Sequence, residues 1–244
     1  MSLLEVRAVA KRFGGLQAVS DLTFGMADGE VLGLIGPNGA GKTTVFNLLS
    51  GFLAADAGEI LFRGRSLRGL RPHQICHLGL TRTFQIVRPF PHLSVLENVK
   101  VGALARTASA RDAAARARRV LEEIGLLAKA EVPAGELTLA ERKRLELARA
   151  LATEPVLLLL DEVMAGLTAA ETERIVELVR AINRRGVAVL LIEHVMRAVM
   201  SLSERIIVLN YGERIAEGPP AVIANDPRVI EAYLGEEYVG AAQG

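Results

Sequence analysis

Tryptophan is absent, and aromatic residues make up only 4% of the 244-residue chain. The single cysteine, Cys76, excludes an intramolecular disulfide and fits a reducing compartment. No charge sign dominates: 29 Lys and Arg stand against 28 Asp and Glu, a formal net charge of +1. That balance makes no electrostatic case for an acidic membrane surface or for nucleic acid, and no nucleic-acid partner is expected. Long hydrophobic runs are missing too. Val156 to Leu160 and Val187 to Ile192 fall far short of the roughly 20 residues that span a bilayer. The N-terminal alternation, which holds Glu5 and Arg7, does not read as a signal peptide. Any membrane role must therefore run through a partner.

What is present is a regular alternation. Half of the residues are hydrophobic, enough for a sizeable core. Strands are predicted at Leu3 to Val9, Val31 to Ile35, Glu59 to Phe62, Val156 to Leu160, Val187 to Ile192, and as a final pair at Arg205 to Asn210 and Arg214 to Glu217. The two continuous apolar runs are what buried parallel strands require. Helices are predicted at Thr43 to Leu49, Ala169 to Arg184 and Val195 to Ser201. The class is α/β. Residues 72–152 differ. Ala103 to Ala130 is rich in Ala, Arg and Leu without a strand signal, and Ala140 to Ala152 is strongly helical. This stretch reads as a helical subdomain inserted into an α/β core of 1–71 and 153–234. The tail, 235–244, reads as loosely ordered.

The sharpest motif is Gly36-Pro-Asn-Gly-Ala-Gly-Lys42-Thr43, between a predicted strand and a predicted helix. Gly36, Gly39 and Gly41 let backbone N–H groups approach a phosphate closely. Asn38 lies in the same loop. Lys42 supplies charge to the β- and γ-phosphates, and Thr43 offers a hydroxyl to Mg²⁺. Thr44 opens the helix whose N-terminus faces the anion. ATP and Mg²⁺ are the expected ligands. Further on, Leu157-Leu-Leu-Leu160 runs into Asp161-Glu162. Carboxylates at the carboxyl end of a buried strand sit where ligands bind in open α/β sheets. Asp161 would hold Mg²⁺ through water, and Glu162 would orient or deprotonate the attacking water.

In this order the motifs resemble the ATP-binding subunits of ABC transporters over nearly the whole chain. The resemblance implies a P-loop NTPase core, carrying an N-terminal antiparallel β subdomain and the inserted helical subdomain. It also implies roles for three more residues. Phe13, in Lys11-Arg-Phe-Gly-Gly15, matches the aromatic that stacks on adenine. Gln85, in Thr81-Arg-Thr-Phe-Gln85, matches the glutamine that touches Mg²⁺ and senses the γ-phosphate. His194, after the strand ending at Ile192, matches the γ-phosphate histidine.

One family element departs. The signature Leu-Ser-Gly-Gly-Gln, which binds ATP held by the opposite subunit, is here Leu137-Thr138-Leu139-Ala140-Glu141. Thr138 keeps a hydroxyl. Ala140 places a methyl group where backbone must approach phosphate, and Leu139 adds bulk. Thr138-x-x-Glu141 is also a capping box, which starts a helix with or without nucleotide. The expectation is weakened rather than abolished function. Val163 replaces the usual proline after Asp-Glu, and Thr168 stands where the family commonly has Asp or Asn.

Within the family, Arg12 to Val19, Arg82 to Phe90, Leu191 to Met196 and Tyr233 to Glu236 resemble the ATPases of branched-chain amino acid importers. This implies integral-membrane permease partners, a second ATPase in a homo- or heterodimer, and a periplasmic binding protein as an indirect partner. The place is then the cytoplasmic face of the inner membrane, reached through the permeases. Ile86, Val87, Phe90 and Leu93 are the expected docking patch. The alternatives are a regulatory ATP-binding subunit with little hydrolysis and the ATPase of a related exporter, such as lipopolysaccharide export. His73, Cys76 and His77 have metal-ligand spacing on a helix, but no fourth ligand lies nearby.

Overall fold

The computed structural model describes residues 2–83 and 89–233. In chain order the elements are β1 (Ser2–Phe13), β2 (Leu16–Ala27), β3 (Val31–Ile35), α1 (Lys42–Leu49), β4 (Ala57–Phe62), β5 (Arg65–Ser66), α2 (Pro72–Leu78) and β6 (Leu80–Arg82). They continue with α3 (Val95–Ala103), α4 (Ala110–Glu123), α5 (Leu139–Leu151), β7 (Leu157–Asp161), α6 (Ala169–Asn183) and β8 (Ala188–Ile192). The last are α7 (Met196–Leu202), β9 (Arg205–Asn210), β10 (Glu213–Gly218) and α8 (Pro220–Ile223). They gather into two compact units: residues 1–72 with 188–244, and residues 73–187.

The first unit carries an antiparallel sheet in the order β2-β1-β4-β5. The expected N-terminal antiparallel subdomain is therefore present. β2 has no clean alternation in the sequence, and the structure gives the reason. Val6 pairs with Phe24 but Val9 with Leu22, so the ladder slips there. Ala8 and Asp21 take positive φ at that slip. The irregularity turns a period of two into three between Val19 and Leu22, after which Leu22, Phe24 and Met26 face the core. The same unit holds β10-β9-β3-β8, with β3 parallel to β8 and to β9 and β10 antiparallel to β9. All five residues of β3 and of β8 are buried, as predicted for strands covered on both faces.

The second unit pairs β6 with β7 in parallel, Leu80 opposite Leu157 and Arg82 opposite Leu159. β6 falls inside the stretch read as a helical subdomain. Three residues are too few to show a period, so the strand has no sequence signal apart from its partner. In the same unit α3, α4 and α5 enclose an apolar core that includes Val99, Ala117, Leu121, Leu145 and Ala148. Within Ala103 to Ala130, Ala103, Ala113, Ala117 and Ala130 are buried in this core. Four helices have a side-chain start signal: Ser94 caps α3, Ser109 caps α4, Thr138 caps α5 and Thr168 caps α6. Among the described residues no helix is long and apolar enough to cross a membrane.

Candidate functional site

In the first unit, β3 ends at Ile35 and the chain turns through the glycine loop into α1. Two glycines there are obligatory. A Cβ on Gly36 (φ 149°) would stand 2.1 Å from the carbonyl oxygen of Leu209, and one on Gly41 (φ 101°) would stand 2.3 Å from that of Ala18. The loop is thus pressed against β9 and β2 through backbone. The Ala40 carbonyl accepts from Gly212 N–H at 3.0 Å, and the Gly212 carbonyl accepts from Ser20 N–H at 2.9 Å. Lys42 is buried and folds back over the loop. Its Nζ donates to the carbonyls of Gly36 (2.6 Å) and Pro37 (2.7 Å). Asn38 and Gly39 are exposed at the tip. No side chain caps α1, whose N-cap is Gly41; Thr43 is exposed and Thr44 half-buried in its first turn. A helix start of this kind presents N–H donors and a positive dipole end to an anion.

Two further predicted residues lie in this unit. Phe13, at the end of β1, is 46% exposed with Lys11 Nζ 5.6 Å from its ring centre. An exposed aromatic face beside a cation suits stacking on a nucleobase. His194 is exposed, two residues beyond β8. Gly33 pairs with Leu191, so the same register carried on sets Gly36 opposite His194. The parallel sheet therefore delivers His194 and the glycine loop at one strand end.

In the second unit, Asp161 closes β7 and is 1% exposed. Its Oδ2 accepts from Arg82 Nη2 at 2.6 Å, and its backbone N–H donates to Thr83 Oγ1 at 3.2 Å. Its Oδ1 is buried with no hydrogen-bond partner among the described residues. A buried carboxylate oxygen of this kind is the acceptor that a Mg²⁺-bound water or the ion itself would take, so the donor set fits magnesium. Glu162 follows in the left-handed region, φ 50°. For a non-glycine residue that conformation costs about 1–3 kcal/mol and is held by its surroundings. The Glu162 carbonyl accepts from Lys143 Nζ (2.8 Å) and from Ala165 N–H (3.3 Å). Val163 and Met164 then turn inward and are buried.

The altered signature begins α5. Thr138 Oγ1 accepts from Glu141 N–H at 3.3 Å, and Glu141 Oε2 accepts from Thr138 N–H at 3.0 Å. The capping box is real. Lys129 bridges Glu141 and is the main reason its carboxyl lies below the ordinary value. Leu139 is 45% exposed, and Ala140 is half-buried. Thr168 is engaged in a second capping box with Glu171, its hydroxyl both accepting and donating there.

Gln85, Ile86 and Val87 lie outside the described residues, as do Leu234 to Glu236 and the tail from 235. Phe90 and Leu93 of the expected docking patch are described and partly exposed. Phe90 has the Arg149 guanidinium 5.3 Å from its ring centre. The fully buried Asn98 staples this segment. Its Oδ1 accepts from Phe90 N–H, and its Nδ2 donates to the carbonyls of Phe90, Leu93 and Ser94. Cys76 contacts Thr81 at 3.6 Å, and no group of three or more potential metal ligands occurs among the described residues.

Sequence reasoning missed Arg82, Asn98 and Lys143. Arg82 and Asn98 carry no local signal, because their partners are set by the fold. Lys143 had a weak one: it sits four residues before Leu147 and seven before Ala150, on the buried stripe of α5.

A glycine loop pressed onto its sheet, a lysine folded over it and a buried strand end at Asp161 followed by Glu162 are the parts of an ATPase of the P-loop class. The model of the ABC transporter family matches residues 19–165, and a branched-chain amino acid ATP-binding cassette transporter model matches residues 213–239. The chain belongs to the ABC transporter ATP-binding family, whose members are the ATP-hydrolysing subunits of transporters. It is 44% identical to the high-affinity branched-chain amino acid transport ATP-binding protein LivG of Escherichia coli, over 96% of this chain and 98% of that one. The protein BraF of Pseudomonas aeruginosa, of the same description, is 42% identical over the same shares. The crystal structure of the ADP conformation of an ATP-binding cassette of an ABC transporter superposes with a TM-score of 0.88. It is 30% identical and covers 96% of this chain and 99% of that one. Membrane permease partners and dimerisation follow from membership.

Proposed function

We propose that this chain is the ATP-hydrolysing subunit of an importer for branched-chain amino acids. It would act on the cytoplasmic face of the inner membrane, joined to permeases that receive substrate from a periplasmic binding protein. The amino acid specificity rests on the likeness to LivG and BraF and on the match at residues 213–239. The nucleotide chemistry rests on one observation above others: Gly36 and Gly41 of the loop are locked by backbone contacts that no side chain tolerates. That geometry serves a phosphate cradle.

In this reading the backbone of Gly36, Gly39 and Gly41, with Asn38, surrounds the β-phosphate, and α1 contributes its N–H groups at Thr43 and Thr44. Lys42 Nζ exchanges loop carbonyls for phosphate oxygens. Phe13 stacks on adenine. Thr43, Gln85 and Asp161 would hold Mg²⁺, which when bound would neutralise charge on the phosphates. Glu162 orients and deprotonates water, and His194 contacts the γ-phosphate. Two ATPase subunits close on ATP, with Thr138 and Ala140 of one presented to the nucleotide of the other. ATP drives closure because it binds the closed form better. Gln85 and its neighbours pass the motion to the permease.

A Glu162→Gln variant tests this in the assembled transporter. Loss of turnover with accumulation of an ATP-bound dimer is expected; unchanged turnover would falsify the assignment. The Leu139-Ala140 pair favours one second reading, a regulatory subunit with little hydrolysis. That reading predicts ATP binding without turnover in the wild-type chain with all its partners present.

A further inference from the structure

Lys143 is 4% exposed, which is rare for a lysine without a specific partner. Its neighbours Arg142 and Arg144 in the same basic run are only half-buried. Lys143 Nζ points from α5 to the carbonyl oxygen of Glu162, 2.8 Å away. One turn earlier on the same face, Leu139 lies against the same segment: a Cβ placed on Gly166 would meet Leu139 Cδ2 at 3.2 Å. Residues at i and i+4 of α5 thus clasp residues 162 to 166 between them. The clasped segment includes the left-handed Glu162, whose conformation needs outside support. The Lys143 charge is not isolated. Glu146, one turn further along α5, is buried, bonded to Arg149 at 2.5 Å, and feels the field of Lys143.

We infer that Lys143 is a positioning residue for hydrolysis: it holds the Glu162 backbone in the left-handed conformation and thereby aims the carboxylate. The assignment rests on the reading of Glu162 as the residue that activates water. A charged donor on a backbone carbonyl is among the stronger hydrogen bonds, and its donor here is buried. The clasp also gives α5 a direct mechanical link to the hydrolytic residue within one subunit. What the signature helix senses at Thr138 to Ala140 therefore reaches Glu162 through Lys143.

The test uses the full chain co-purified with its transporter subunits, Mg-ATP as the probe, and four variants: Lys143→Met, Lys143→Gln, Lys143→Arg and Glu162→Gln. Lys143→Met is expected to lower kcat about ten- to a hundred-fold. KM for ATP should stay within about twofold of wild type, because the phosphate loop is untouched. Lys143→Arg, which keeps a charged donor, should recover most of kcat. If the Met variant does not fold, the ratio of kcat between the Arg and Gln variants carries the same information. A purely structural role would lower thermal stability and active fraction while leaving kcat per folded molecule unchanged, and that outcome overturns the proposal. So does wild-type kcat in Lys143→Met alongside an inactive Glu162→Gln. Full turnover in Glu162→Gln is a different failure, since it removes the role of Glu162 itself.

Discussion

Lys42 donates to two loop carbonyls and is the one cation built into the glycine loop. Its replacement by Ala removes a charged donor, so Mg-ATP affinity should fall about ten- to a hundred-fold, as read by nucleotide titration of the purified chain. Arg82 acts on stability instead. It is ion-paired with Asp161, and both side chains are nearly inaccessible. Arg82→Met leaves a buried carboxylate behind, and urea unfolding should show a loss of about 3–5 kcal/mol. Ala140→Gly tests the altered signature. If the methyl group lengthens one bond to a charged phosphate, its removal should raise turnover in the assembled complex by about one power of ten or more; unchanged turnover counts against the idea.

Among the elements, α5 and α6 begin alike, with a threonine cap and a glutamate three residues on. Glu141 is held below its ordinary value of 4.5 chiefly by Lys129, with the Thr138 N–H helping against partial burial. Glu171 is lowered chiefly by the Thr168 N–H. A carboxyl whose folded pKa lies below its unfolded one contributes fully above the ordinary value. That contribution disappears as pH falls through the folded value. The chain should therefore lose stability below pH 4.5. Glu141→Gln should flatten that fall in thermal unfolding followed from pH 7 downwards. Buried Glu146 works the other way, since burial raises its pKa and protonation favours the folded form. In the Phe90 to Ser94 segment, Asn98→Ala strips four backbone bonds at once. Fold stability should drop by about 1–3 kcal/mol or more, and co-purification with permease should weaken if this segment docks it.

At the scale of the assembly, the proposed head-to-tail dimer would have the phosphate loop and the signature of one chain serve different nucleotides. The loop geometry of this chain is intact, whereas Leu139 and Ala140 depart from the family pattern. Paired with a different ATPase subunit, this chain should carry the stronger site on its own Lys42 and weaken the site on the partner's loop. Lys42→Ala would then abolish most turnover, and the equivalent change in the partner would abolish less. A homodimer would show equal, slow sites. Measuring ATPase activity for each singly altered complex distinguishes the two.

Much of this was legible in local pattern. The glycine loop, the buried run into Asp161-Glu162 and the capping boxes at Thr138 and Thr168 are short-range features, set by backbone conformation and hydrogen bonding among near neighbours. Strand β3, the parallel run of β8 and the class of fold followed from them. Local pattern did not reveal β6, which is too short to show a period, or β2, whose slip breaks one. Nor did it reveal what faces what across the fold. Arg82 meets Asp161 across 79 positions, and Lys143 meets the carbonyl of Glu162 across 19. Of three consecutive basic residues only the packing of α5 selects the one that turns inward. The phosphate loop could be read from the sequence because its chemistry is written in consecutive residues. The support of Glu162 could not, because buried charges find their partners by topology rather than by spacing.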